Sequence, residues 1–320
     1  MTDILVAGET LIDLLPGAGE TLHDIDGFAH RPGGAPANVA VGLSRLDTPP
    51  AFWTRLGGDP FGDFLQETLN DEGVPAAAFE RVDGNTTLAV VSPPGVEGRR
   101  FRFYGSGDVT FGFESESVPR DALASTSWVH LGGVALTHPE GREAMRELAA
   151  VAAENGRTVS FDVNYREDLV PDGEQDAVVD AVREIVGVSD VVFASDEDVA
   201  ATGLSSREGE ALGHDLLDIG PHTAVVTLGE AGAVVTSASS APWGERTARH
   251  AGFAVEAVDV TGAGDAFTAG LIARLSAGDT DLDGAVAFAN ATAALSVQER
   301  GGMTALPSKE AVESFLAERR

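Results

Sequence analysis

Residues 258–271 read VDVTGAGDAFTAGL: a short apolar lead, two glycines, an aspartate and then an apolar run. Phe267, Leu271 and Leu275 recur at four-residue spacing, which predicts a helix with one apolar face. Gly262 and Gly264 permit a sharp turn at the mouth of that helix, with backbone N–H groups turned to one side. Two readings fit these residues. Asp265 can cap the helix and gain from its dipole. Alternatively, the first-turn amides form an anion site and Asp265 is a base set beside it. A cap needs no Gly-x-Gly before it, so the rest of the chain must decide.

Working outward, FAVEAVDV (253–260) reads as a strand leading into the turn, and DILVAGETLIDLLP (3–16) as a first buried parallel strand reaching a glycine. Further strands are expected at 50–55, 128–131, 158–162, 191–194, 223–227 and 232–236. Helical patterns lie between them at 35–46, 62–72, 140–155, 174–186 and 209–217. Strands alternating with helices predict a parallel sheet covered on both faces. Residues 86–111 break the rhythm with two strand-like runs joined by a Pro/Gly turn and no helix. In RRFRFY, Phe101 and Phe103 alternate with Arg100, Arg102 and Tyr104, giving one apolar and one polar face. With 15–32, this segment is expected to form a small antiparallel sheet, a lid inserted in one α/β domain over 1–320.

Composition bounds the rest. With 320 residues, 43% of them hydrophobic, the chain can bury a large core. No run approaches the roughly 18 apolar residues of a membrane span. The first residues, MTDILVAGET, hold an early acid and no basic segment, so no secretory signal is expected and a cytoplasmic enzyme fits. Cysteine is absent, which excludes disulfides, thiolate zinc sites and cysteine nucleophiles. Against 51 acids stand 21 bases, of which only Lys309 is a lysine, for a net charge of −30. That surface disfavours nucleic acid and anionic membranes. It points to a protein tuned to multimolar salt, where the Debye length falls to about 3 Å.

A P-loop needs a lysine followed by Ser or Thr, and Lys309 offers neither that context nor a glycine loop. The Gly-x-Gly-x-x-G of a dinucleotide fold is missing after the first strand. Phosphate, if handled, must be met by backbone amides, arginine and a metal ion. A second constellation, RPGGAPANVAVGLSRLD (31–47), places Gly33 and Gly34 before a helix carrying Asn38. Close backbone approach and a fixed amide suit sugar hydroxyls, although an asparagine in a first turn is ordinarily a cap or a solvated residue.

Together, GGAPANVAVGLSRL and DVTGAGDAFTAGL resemble the two signatures of the ribokinase-like (PfkB) carbohydrate kinases. The likeness extends, in that family's order, through residues 55–74, 161–166, 227–235 and 288–297. It implies a three-layer α/β sandwich with a mostly parallel central sheet and a small β lid. It implies Asp265 as the base that takes the proton from a sugar hydroxyl, with the amides of Gly262, Ala263 and Gly264 stabilising charge on the transferring phosphoryl group. Sugar would be held by Asp13, Gly33, Gly34 and Asn38, by Arg102 and Tyr104 of the lid, and by Asn164 and Arg166. ATP would meet Thr227, Gly229, Gly232 and Asn290. A monovalent cation, K+ in a potassium-rich cytoplasm, would lie at Asp259 and Thr261. The family's Asn-x-x-Glu becomes Ser195 and Asp198 here; Asp198 keeps a carboxylate for the Mg2+ shell, while Ser195 loses the amide.

The resemblance leaves the substrate between fructose, favoured by 33–40 and 301–316, and 2-keto-3-deoxygluconate, for which Arg166 would meet the acid. Nucleoside kinases lack a specific base-stacking pattern here. A catalytically silent sugar- or nucleotide-binding regulator is the reading from another class, and retention of Asp265 with both glycines argues against it. Lid-mediated homodimers among relatives imply a dimer.

Overall fold

The computed structural model describes residues 3–92, 101–105 and 109–319. Its strands, in chain order, are β1 (Ile4–Ala7), β2 (Leu11–Pro16), β3 (Phe28–Gly33), β4 (Ala51–Gly57), β5 (Phe79–Val82), β6 (Leu88–Val91) and β7 (Phe101–Tyr104). They continue with β8 (Trp128–Gly132), β9 (Thr158–Asp162), β10 (Val191–Ser195), β11 (Thr223–Thr227), β12 (Ala233–Ser237) and β13 (Arg246–His250). Nine form one sheet in the order β13-β12-β11-β10-β9-β8-β1-β4-β5, parallel from β5 to β11 and antiparallel at the last two.

Alternation along each central strand feeds two apolar layers. Ile4 and Val6 of β1 pack with helices Ala35–Arg45, Ala263–Ser276, Leu282–Ser296 and Lys309–Ala317. Leu5 and Ala7 pack on the other side with helices Pro139–Glu154, Gln175–Val188 and Gly209–Leu217. Each fully buried Val, Leu, Ile or Phe contributes about 1.5–3 kcal/mol relative to exposure, so burial on both faces holds the strand tips in place. The three layers are those expected.

From β1 the chain moves to one side to make β4, then returns to place β8 on the other side of β1. The order therefore reverses between β1 and β8. In open α/β sheets, the crevice outside the carboxyl ends at such a switch is where ligands bind.

The second sheet, β3-β2-β6-β7, is the lid. Both its outer pairings are antiparallel, while β2 and β6 in the middle run parallel. β2 begins at Leu11, four residues before the expected lid segment. The Pro/Gly turn between β6 and β7, with Arg100, lies outside the described residues. Phe101 and Phe103 are half-buried against Leu11, Ala89, Phe111 and Val134, and Arg102 and Tyr104 face outward.

One expected element is corrected. Residues 253–260 form no strand; they run along the body, with Phe253 and Val255 packed against the core, Phe253 edge-on to Phe315 (5.1 Å between ring centroids), and the Val258 and Asp259 amides donating to the Val297 carbonyl (2.7 and 3.2 Å). Val258 and Val260 are 55% and 62% exposed, so the segment buries apolar side chains only in its first half, and without a ladder partner. The edge strand is β13 instead, which has no apolar pattern because an exposed edge requires none.

Candidate active site

A cavity of about 400 Å³ opens at the carboxyl ends of β1, β9, β10 and β11, flanked by Leu11, Ala89, Phe101 and Phe103 of the lid. Helix Ala263–Ser276 enters it at its N-terminus. Gly262, the N-cap, has φ 75, and a Cβ there would lie 2.8 Å from the Gly302 Cα, so the turn demands glycine. The amides of Gly264 and Asp265 belong to the first turn and have no intrahelical acceptor. That of Ala263, expected in the same cradle, donates to the Val260 carbonyl at 3.3 Å.

Asp265 accepts a 2.7 Å hydrogen bond from Asn38 Nδ2, which joins the two glycine-led motifs across 227 positions of sequence. Asn38 is buried in helix Ala35–Arg45, and its Oδ1 has no partner among the described residues. Burial raises the pKa of Asp265 to about 6, opposed by the Asn38 hydrogen bond and the Arg166 charge. A carboxyl poised there is ionised at neutral pH yet basic enough to accept a proton.

Asp13 on β2 is buried beside Gly33, where a Cβ would lie 2.3 Å from Asp13 Oδ2; Gly34, at φ 103, would clash with the Glu9 carbonyl at 2.6 Å. Both glycines thus let the backbone close on the cavity wall. Asn164 lines the cavity in a left-handed conformation (φ 29), and Arg166 lines it while remaining exposed to solvent.

At the far strand ends, Ser195 caps helix Asp196–Thr202 by accepting from the Asp198 amide, and its hydroxyl donates to Asp198 Oδ2 at 2.6 Å. The serine that replaces the family's asparagine is therefore used in orienting the carboxylate. Thr227 lines the cavity, and the turn after it carries Gly229 and Gly232; at Gly232, φ 83, a Cβ would meet the His250 carbonyl at 2.0 Å. Asp259 Oδ1 accepts from the Thr261 amide and hydroxyl, and Oδ2 from the Gly301 amide.

Some expected residues are not brought to the cavity wall. Arg102 pairs with Asp168 at 3.6 Å on the outside of the lid, and Tyr104 is 60% exposed beside Asp59 and Phe61. The alternation that turns Phe101 and Phe103 inward turns these two out. Asn290 is buried in its helix and donates to the Val286 carbonyl, away from the cavity lining. Conversely, Glu9 and Asp162 line the cavity although no role was expected for either. Their pKa values are raised by burial first, Glu9 to about 8, with the charge of Asp265 adding to both and that of Asp198 to Asp162. An acid at or just past the carboxyl end of a buried parallel strand is the signal that could have found them.

A buried carboxyl beside the first-turn amides of a helix N-terminus, in a cavity lined by polar groups, has the chemistry that a phosphotransferase acting on an alcohol requires. The description "pfkB family carbohydrate kinase" matches residues 1–309. The chain is 34% identical to the fructokinase of Klebsiella pneumoniae, covering 98% of this chain and 99% of that one. Its fold superposes with a TM-score of 0.88 on the crystal structure of fructokinase with bound ATP from Xylella fastidiosa (27% identity; 100% of this chain, 99% of that). For a Vibrio cholerae fructokinase double mutant in its fructose-, ADP- and potassium-bound form, the TM-score is 0.84 (33% identity; 98% and 97%). The chain belongs to the PfkB family of carbohydrate kinases and is an ATP-dependent sugar kinase with the ribokinase-like fold.

Proposed function

We propose that the acceptor is free fructose, phosphorylated from ATP, with Asp265 as the base. The observation that carries this reading is the Asn38–Asp265 hydrogen bond, which fixes a near-neutral carboxyl beside the free amides of a helix terminus. Asp265 takes the hydroxyl proton as the oxygen attacks the γ-phosphoryl group. The Gly264 and Asp265 amides and the helix dipole meet the charge on that group. Asn38 Oδ1, Asp13 and Asn164 offer acceptors to sugar hydroxyls.

The cavity's charge balance favours a neutral sugar over a sugar acid. Glu9, Asp13, Asp162 and Asp265 line it with Arg166 as the cation among them. A carboxylate substrate would have to share Arg166, whose charge already acts on three of those acids. Similarity to fructokinases over nearly the whole chain points the same way.

Asp198 and Asp162 supply hard oxygen ligands suited to Mg2+, which would neutralise phosphate charge when bound. Asp259, knitted into the loop before the helix, is our candidate for holding K+ near the anion site. The nucleotide would enter past Thr227 and Val260. The exposed apolar residues Leu22, Phe28 and Tyr104 on the lid side suit a homodimer formed there, and the need for ATP fits a cytoplasmic setting.

A coupled ADP-release assay over a panel of sugars tests the acceptor. Fructose should give the largest kcat/KM. A much larger value for 2-keto-3-deoxygluconate, abolished by Arg166→Ala while fructose turnover survives, would overturn the fructose reading and leave the family intact.

A further inference from the structure

Glu9 follows β1 at the point where the strand order reverses, between the tips of β1 and β8. It is 2% exposed, lines the cavity, and its Oε2 has no hydrogen-bond partner among the described residues. Around it, a Cβ on Gly132 of β8 would lie 3.8 Å from that oxygen, and Pro36 closes on both Gly8 and Gly132. The chain thus builds a tight slot and puts an acid in it. A buried carboxyl oxygen left unpaired costs free energy unless something meets it.

We propose that Glu9 is a further sugar-binding residue, its unpartnered carboxyl oxygen meeting a hydroxyl of the bound sugar. The proposal rests on reading this cavity as the acceptor-sugar pocket. The groups facing Glu9 are Asp13 from β2, Asp162 and Arg166 from the end of β9 and the loop beyond it, and Asp265 from helix Ala263–Ser276, while the Ala35 amide of helix Ala35–Arg45 donates to it. Burial, with the charge of Asp265 adding to it and the backbone amides and Arg166 opposing, pushes its pKa up to about 8, so Glu9 carries a proton at neutral pH. It is then a hydrogen-bond donor as well as an acceptor, which an ionised Asp265 cannot be. An ionised Glu9 would lose that donor and bring a further charge close to the phosphoryl group.

The test compares the full-length wild type, Glu9→Gln and Glu9→Leu, measuring KM for fructose and for ATP between pH 6.5 and 9. Glutamine keeps a donor and an acceptor without titrating. Glu9→Leu should raise the fructose KM roughly ten- to hundredfold, the effect of a buried hydroxyl left unmatched, while the ATP KM stays within twofold. Glu9→Gln should raise the fructose KM far less than Glu9→Leu does at pH 7 and remain flat above pH 8, where the wild-type fructose KM climbs. A purely structural role, capping the Ala35 amide, would move the melting temperature and leave the fructose KM and its pH dependence alone; that pattern overturns the proposal. If Glu9→Leu does not fold, parallel pH profiles for wild type and Glu9→Gln overturn it by themselves. If the wild type turns over another sugar and not fructose, the fructose reading falls, and the same comparison on that sugar decides Glu9.

Discussion

Helices Ala35–Arg45 and Ala263–Ser276 both bring their N-termini to the cavity, both follow glycines, and neither has a side-chain cap. Their glycines nevertheless answer different demands. Gly33 and Gly34 are pressed against the protein itself, the Asp13 carboxyl and the Glu9 backbone. Gly262 likewise abuts Gly302. Around Gly264, by contrast, a Cβ would meet nothing within 4 Å. Packing does not require glycine there, and glycine in a helix costs about 0.5–1 kcal/mol relative to alanine. A residue that the fold would exchange for alanine points to a ligand that approaches the backbone closely. Packing accounts for the glycines at one helix end; at the other it accounts for Gly262 and leaves Gly264 to the proposed ligand.

Removing the base tests that contrast most severely. Asp265→Asn keeps the size and an oxygen that can accept from Asn38, and Asp265 makes no side-chain cap that could be lost. We expect kcat to fall about 10²- to 10⁴-fold with the melting temperature nearly unchanged. Turnover within a few-fold of wild type would reduce Asp265 to a first-turn acid favoured by the helix dipole and break the comparison at its centre.

The glycines sharpen it directly. Gly264→Ala should stabilise the fold by about 0.4–1 kcal/mol while turnover drops on the order of 10²-fold, the scale of losing one charge-stabilising donor. Gly34→Ala should do the reverse in stability, costing about 1–3 kcal/mol through its positive φ and clash. Thermal melts and initial rates on the two variants suffice. Equal destabilisation would show that both glycines serve packing alone.

A smaller effect follows from titration. Since Asp265 must be ionised to accept a proton, kcat/KM should fall about tenfold per unit as pH drops below about 6. Stability runs the other way. A carboxyl whose folded pKa is raised contributes stability fully present below its ordinary value of 3.8 and lost as pH rises through about 6. Between pH 4 and 6, Asp265 should thus lower activity without lowering the melting temperature. Rates and melts falling together there would point to acid unfolding instead.

The gentlest effect concerns the whole surface. With a net charge of −30, the melting temperature should rise between about 0.1 M and 3 M KCl as self-repulsion is screened. An equal or higher value at low salt would remove the halophilic reading and leave both helix ends as described.

By itself the sequence determined the layered α/β body, because apolar strands such as ILVA and TVSFD and the helical spacings between them are local patterns with one efficient way of burying both faces. It also determined the glycine-led turn into helix Ala263–Ser276, since Gly262 and Asp265 are recognisable from neighbours in the chain. The lid's two faces were legible too, in the alternation of Phe101 and Phe103 with Arg102 and Tyr104; the resemblance assigned the outward pair to substrate, and the alternation put the other pair inside. The strand read at 253–260 failed because alternation records polarity and not whether a ladder partner exists. Tertiary structure alone decided that Asn38 reaches Asp265, that Asn290 bonds its own helix, and that Glu9 and Asp162 share one cavity with Arg166. Those facts depend on how strand tips and helix ends from distant parts of the chain meet, and on a low-dielectric setting that shifts a carboxyl's proton affinity only once its neighbours are in place.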